Sequence, residues 1–415
     1  MVNIMSLSVR SKPYIIPEYS LTGDLLAYLT CGLQYRYQNK GTLPPSMPIQ
    51  LWFGDFIHGV MEEAYLRWRD KDWKDFPWNW ETKIRDIELE IDKRMRSRGL
   101  QPPANLFCPF QKPNDVQGLC NDHNHPHKLV ASVRAEAAIN TWGPHLFPLI
   151  DDAEVRLKGI RDMPGYKKGL SRSNYYGVTG IIDVLSSVKI EEASKKNLII
   201  KYLHKDPQYK ERIEKLDSPE YEIIVDYKGM KRPPINSPSW EHHQWQVLTY
   251  SWLRSMHPEY RPVLTGILFY LNELSLFKED LKLLKDEVRD ECTDIMPLGN
   301  DLNNLLKWNI KSKAPDLSEA CKICDFAATK TMFLLVFKNE RSIRFIMTEN
   351  ESINNSLNEF DKVVAEIENS IICEVHGKGI KSSWIPNPDK RTCDACDFKT
   401  FCGKSESRKN VLTVH

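Results

Sequence analysis

Residues 221–228 (YEIIVDYK) alternate as a β-strand does, with Ile223, Val225 and Tyr227 on one side and Ile224, Asp226 and Lys228 on the other. Three further runs have strand character. Residues 175–187 (YYGVTGIIDVLSS) are β-branched and carry Asp183, 262–272 (PVLTGILFYLN) are almost wholly apolar, and 342–347 form a short run near the end. Elsewhere the apolar period is helical. Residues 20–40 predict a helix capped near Thr22, with Leu25, Leu26 and Leu29 on its apolar side and Cys31 at its end. Residues 54–68 (GDFIHGVMEEAYLRW) predict a second, capped by Asp55, with a stripe of Ile57, Val60, Met61, Ala64, Tyr65 and Trp68 and with His58 beside it. Helices are also predicted over 240–256, 279–291 and 354–372. Strands separated by helices indicate an α/β fold, a central mixed sheet flanked by helices and interrupted by helical insertions.

The same pattern divides the chain. Residues 1–70 supply N-terminal helices, 71–170 a helical or irregular insertion, 171–275 a core with a Lys-rich insertion at 188–220, 276–340 a second insertion, and 341–415 a C-terminal helix and a cysteine-bearing tail. At 415 residues the chain is long enough for a large buried core. Its 57 basic and 56 acidic residues produce no global field, so a nucleic-acid surface has to be a local patch. The opening MVNIMS lacks the features of a signal peptide and no run of eighteen apolar residues occurs, which predicts a cytoplasmic protein without membrane contact. In a reducing compartment the ten cysteines read as metal or cluster ligands before disulfides.

Candidate chemistry gathers at a few places. Asp226 and Lys228 put a carboxylate and an ammonium on one face near a strand exit, followed by Gly229 and by Lys231 and Arg232, which could track a phosphate backbone. Lys201 to Lys215 is a second basic candidate, or simply a solvated helix face. Gln246 and Tyr250 lie four apart on one helix face. His58 is either a half-buried satisfied side chain or a ligand. Trp68, Trp73, Trp78 and Trp80 among charges suit base stacking or the anchoring of a loop to the core. The tail carries Cys393, Cys396 and Cys402 as Cys-x2-Cys-x5-Cys, and four thiolates including Cys31 suit a 4Fe-4S cluster or a structural zinc.

In order, Cys31, His58 after Gly54, Gly180-Ile-Ile-Asp183, Asp226-Tyr-Lys228, Gln246-x3-Tyr250 and the terminal cysteines resemble the RecB-like branch of the PD-(D/E)xK nuclease superfamily. The likeness is to its iron–sulfur form, shared by AddB-type exonuclease domains and CRISPR-adaptation nucleases. The resemblance implies a restriction-endonuclease-like fold and a Mg2+- or Mn2+-dependent DNA nuclease. His58, Asp183, Asp226 and the carbonyl of Tyr227 would hold the metal, Lys228 would orient water or neutralise the oxyanion, and Gln246 and Tyr250 would position it. Cys31, Cys393, Cys396 and Cys402 would hold a structural 4Fe-4S cluster, clasping the two ends of the chain. The implied partner is DNA, single-stranded or at ends, and the implied setting a DNA-processing, CRISPR or phage-defence complex with other proteins.

Two features depart from that pattern. The separation of Asp183 from Asp226 is longer than usual. Cys321 and Cys324 echo the terminal motif but have Lys330 where a third cysteine would stand. They are ordinary buried thiols, a decayed copy, or half of a zinc site completed by Cys108 and Cys120. Besides a nuclease, the sequence admits a DNA-binding scaffold subunit whose catalysis has lapsed, and a zinc-dependent nucleic-acid adaptor.

Overall fold

A computed structural model describes residues 16–40, 49–70, 73–110, 128–309, 335–400 and 402–405. Cys120, Cys321 and Cys324 lie outside them, and with them the zinc half-site expectation. Six strands form one mixed sheet: β1 (Glu18–Ser20), β2 (Ile150–Asp162), β3 (Tyr175–Lys189), β4 (Glu220–Lys228), β5 (Val263–Tyr270) and β6 (Ile343–Met347). β3 is flanked by antiparallel β2 on one edge and by β4 and β1 on the other, and the order continues through β5 to β6. β4 and β5 are parallel, joined over the sheet by a helix at Pro238–Ser255.

On one face pack α3 (Ile49–Asp70), α4 (Arg85–Ser97) and α5 (Val130–Leu146), whose Ile57, Val60, Ile91 and Ile139 join Ile223, Val225 and Tyr227 in one core. On the other lie α8 (Pro238–Ser255) and α12 (Asn350–Cys373), whose Leu253, Phe360 and Val364 meet Ile182, Leu185 and Ile224. Helices on both faces explain why β4 is buried from Tyr221 to Tyr227. The expected polar side of this strand is therefore interior, and Asp226 is only 3% exposed.

Other expectations are corrected in detail. α3 begins at Ile49, so Asp55 is inside the helix and not its cap. The stretch after β1 is broken at Cys31 into α1 (Leu26–Thr30) and α2 (Gly32–Lys40), and Ser20 caps the turn preceding α1 by accepting from the Gly23 N–H. Leu29, expected on the apolar side, is exposed. The tryptophans anchor: Trp78 and Trp80 are buried, and Trp68 and Trp73 pack against the same core. In the 188–220 stretch, α6 (Leu198–Lys205) and α7 (Pro207–Glu214) bury Ile199, Leu203 and Ile213 while Lys205, Lys210 and Lys215 pair with Glu340, Glu214 and Glu211, a solvated face. In the stretch expected to be helical or irregular, α4 and α5 are helices and Ile150–Asp162 is strand β2. Among the described residues no helix is long and apolar enough to cross a membrane.

Candidate active site

At the exit of β4, helix and strand backbones approach closely. A Cβ on Gly229 would stand 3.1 Å from the Cα of Gly54, so two glycines let α3 lie against the end of the strand. One turn further along α3, His58 therefore comes over β4. Its Nε2 is 2.7 Å from the carbonyl oxygen of Tyr227 and its Nδ1 is 3.3 Å from Asp183 Oδ2. A ring protonated at both nitrogens donates to both. Burial opposes that charge, but the Asp183 carboxylate more than offsets it and holds the His58 pKa at about 9.

Asp183 reaches the site through an irregularity in the sheet. The β2–β3 ladder pairs Val155 with Ile182 and Ala153 with Val184, and steps over Glu154 and Asp183. A two-residue step normally keeps side chains on one face. Here it does not, because Ile182 faces the α8–α12 core and Val184 the α3 core. Glu154 absorbs the change with φ at 55°, a left-handed conformation that costs a non-glycine residue about 1–3 kcal/mol. Such breaks re-aim side chains. Asp183 Oδ2 accepts the Tyr227 N–H at 2.8 Å. Burial raises the Asp183 carboxyl, yet the charge of His58 and this backbone donor prevail and its pKa is lowered.

Asp226 is the more deeply buried carboxyl, and burial pushes it up to about 6 against the pull of the Lys228 ammonium, with which it forms an ion pair. Lys228 Nζ also donates to Gln246 Oε1 at 2.7 Å, and the Gln246 amide donates to the Tyr250 hydroxyl at 3.0 Å. The α8 face thus holds Lys228 through a relay of two side chains. His58, Asp183, Asp226, Tyr227, Lys228, Gln246 and Tyr250 all line one cleft of about 990 Å3. The sequence-predicted set is brought together.

Glu154, absent from the sequence reading, lines the same cleft, with its carboxyl raised by burial and by Asp183. Lys231 and Arg232 are not at its surface. Arg232 is 3% exposed, paired with Asp294 and donating to the carbonyls of Arg341 and Ile343, and Lys231 Nζ donates to the Asp280 carbonyl. The expected phosphate contact from Arg232 is therefore replaced by a structural role, because the chain turns inward after Gly229.

Two carboxylates and a carbonyl are hard oxygen donors of the kind Mg2+ takes, and an imidazole widens the choice toward Mn2+. Among the described residues no three His, Cys, Asp or Glu side chains are drawn together tightly enough to hold a metal as they stand. The charges of His58 and Lys228 balance the carboxylates in this arrangement. The donor chemistry fits a divalent cation that takes over this balancing.

The cysteines form a second constellation. Cys31, Cys393, Cys396 and Cys402 line one small cavity with Tyr37, Pro386 and Phe398. Burial, and then the nearness of Cys31, Cys402 and Cys393, push the Cys396 thiol up. Among the described residues these thiols, too, are not drawn together tightly enough to hold a metal as they stand. Cys108 is buried elsewhere, next to α4.

A search among curated proteins finds no match. A family model does match, over a stretch holding Asp226, Lys228, Gln246, Tyr250 and the three C-terminal cysteines, whereas Cys31, His58 and Asp183 lie outside it. Residues 212–403 match the family model of the PD-(D/E)XK nuclease superfamily, whose members are generally nucleases.

Proposed function

We propose that the protein is a Mg2+- or Mn2+-dependent deoxyribonuclease of the RecB-like, iron–sulfur kind, acting on single strands or ends within a DNA-processing or defence system that includes other proteins. The observation that carries this reading is the convergence of His58, Asp183, Asp226 and Lys228 on one cleft. Asp183, Asp226 and the Tyr227 carbonyl would hold the cation, with a His58 nitrogen once its proton has left. When bound, the cation supplies an activated water and compensates charge developing on the phosphate.

The chain's own groups do the remainder. Lys228 is a fixed positive charge, tethered by Gln246 and therefore ready to donate to a phosphate oxygen without reorganising. Tyr250, through Gln246, sets where that ammonium points. The cysteine quartet would hold a 4Fe-4S cluster in preference to zinc, as the family resemblance implies, and its role would be structural because hydrolysis needs no redox step.

The test is a gel assay of labelled single- and double-stranded DNA with Mn2+ or Mg2+. Wild type is expected to cleave, and Asp226→Ala to lose activity on the order of a hundredfold or more. A wild type that binds DNA but cleaves neither substrate with either metal would leave the lapsed scaffold subunit as the correct reading.

A further inference from the structure

A basic arm runs off the cleft. From Arg156 to Tyr175 the chain reads RLKGIRDMPGYKKGLSRSNY, with six basic residues and one acidic, in a protein of net charge +1. This is the distal part of the β2–β3 hairpin with its connecting turn. The hairpin's inner face is fully engaged: Leu157, Tyr176, Val178 and Ile182 are buried in the α8–α12 core. A Cβ on Gly159 would meet the Trp252 ring at 2.6 Å, and Arg161 forms a bidentate pair with Asp361 of α12 at 2.9 and 2.6 Å. The arm is thereby rigid.

Its outer face is open. The directly opposed pairs Arg156–Ile181, Lys158–Thr179, Ile160–Gly177 and Asp162–Tyr175 share one surface. Ile160, Ile181 and Tyr175 on it are 64%, 42% and 41% exposed, and Tyr166 beside Lys167 and Lys168 on the turn is 47% exposed. Arg156, Lys158, Thr179 and Ile181 line the same cleft as Asp183, Asp226 and Lys228.

We propose that this outer face is the track along which a single DNA strand enters or leaves the active site, its bases against Ile181, Ile160 and Tyr175 and its phosphates on Arg156, Lys158, Lys167 and Lys168. The inference rests on the nuclease reading and adds the form of the substrate and its path. An unpaired strand offers a base face and a phosphate at every step, which suits apolar and cationic side chains in alternation. A duplex hides its base faces and would use the cations alone.

Charge supports the same choice. The Arg156 guanidinium lies in the cleft within electrostatic reach of Glu154. Lys158 pairs with Glu18 at 3.0 Å, but both are more than half exposed, a link weak enough to exchange for a phosphate. Arg161 and Arg172 are engaged with Asp361 and Glu368 and take no part. Glu154 and Glu18 also line the cleft, the first within electrostatic reach of Arg156 and the second paired with Lys158. Tyr175 precedes Asp183 by eight residues on β3, about 26 Å at ~3.3 Å per residue. Only a strand several nucleotides long can use the whole arm.

The test is fluorescence anisotropy of roughly 20-nucleotide labelled single-stranded and duplex DNA in EDTA, so that binding is read without cleavage. The triple variant Arg156→Ala, Lys167→Ala, Lys168→Ala is expected to weaken single-strand binding at least about tenfold and to lower the slope of log K against log salt by ~2. Tyr175→Ala is expected to weaken single-strand binding about fivefold or more and leave duplex binding unchanged. With Mn2+, the triple variant should raise KM for the long strand by a larger factor than KM for a tetranucleotide. Wild-type-like single-strand binding by both variants, or an equal loss on duplex and single strand for Tyr175→Ala, would overturn the track. If wild type cleaves while the arm variants behave identically, the track falls and the nuclease stands. If the variants weaken binding while wild type cleaves nothing, the nuclease falls and the track stands.

Discussion

Gly180 stands where a methyl group has no room. Its Cβ would lie 2.6 Å from Tyr250 Cε1 and 3.1 Å from Leu253 Cδ1, and Tyr250 is the far end of the relay through Gln246 to Lys228. Gly180→Ala is expected to push that ring aside, costing about 1–3 kcal/mol of stability by denaturant titration and lowering cleavage more than tenfold. Tyr250→Phe keeps the ring and removes only the hydroxyl, so it should lower cleavage with a smaller stability loss. Equal stability of Gly180→Ala and wild type would show the packing to be slacker than drawn. Residues of this kind were legible because their spacing is local: Gly180-Ile-Ile-Asp183 and Asp226-Tyr-Lys228 each lie within one strand. Glu154 was not, because its place in the cleft comes from lying across the ladder from Asp183, a relation that no spacing along the chain expresses. Arg232 shows the reverse error: adjacency to the motif suggested DNA, while the turn after Gly229 carries its guanidinium inward to Asp294.

At the scale of elements, the buried strands and long helices were readable and the edges of the sheet were not. β4 and β5 are covered on both faces, so their apolar runs are continuous. β2 is an edge strand with one open face, and IDDAEVRLKGIRD dilutes four large apolar residues among charges until it resembles a surface loop. β1 is three residues long and has no pattern to read. The crossover between β4 and β5 depends on a buried ion pair: Arg254 near the end of α8 donates to both oxygens of Glu222 at 2.7 Å, and Glu222 is fully buried. Arg254→Ala would leave that carboxylate beside only the more distant Arg261, at 3.8 Å. The expected cost is about 3–5 kcal/mol in urea unfolding. The double variant with Glu222→Gln should recover part of it, since the buried charge is then gone. A loss below about 1 kcal/mol for the single variant would mean that water reaches Glu222 and that α8 is not pinned at this end.

At the scale of the molecule, the two ends of the described chain are fastened to one another. Trp384 is buried between Tyr28 and Tyr35, Arg36 binds Glu374 through two hydrogen bonds of 2.7 and 2.6 Å, and Tyr37 packs at a tilt against Phe398 at 5.2 Å, these last two residues lining the cavity of the four cysteines. The cysteine spacing made the C-terminal half of this arrangement readable; the aromatic and ionic contacts that carry Cys31 to it were not, since they join residues more than three hundred positions apart. β1 is tied into the same arrangement, since α1 and α2 follow it in the chain and Ser20 lines the candidate cleft. Cys393→Ala should therefore act first on folding: a fall in Tm of about 5 °C or more, given about 2–4 °C per kcal/mol in a domain of this order, with loss of iron by metal analysis and of visible absorbance. Arg36→Ala separates the two contributions. It cuts the protein fastening without touching a thiol, so it should lower Tm while iron content stays at the wild-type value. If Cys393→Ala kept both its iron and its melting temperature, the quartet would be a group of packed thiols, and Trp384 with Arg36 would hold the ends together alone.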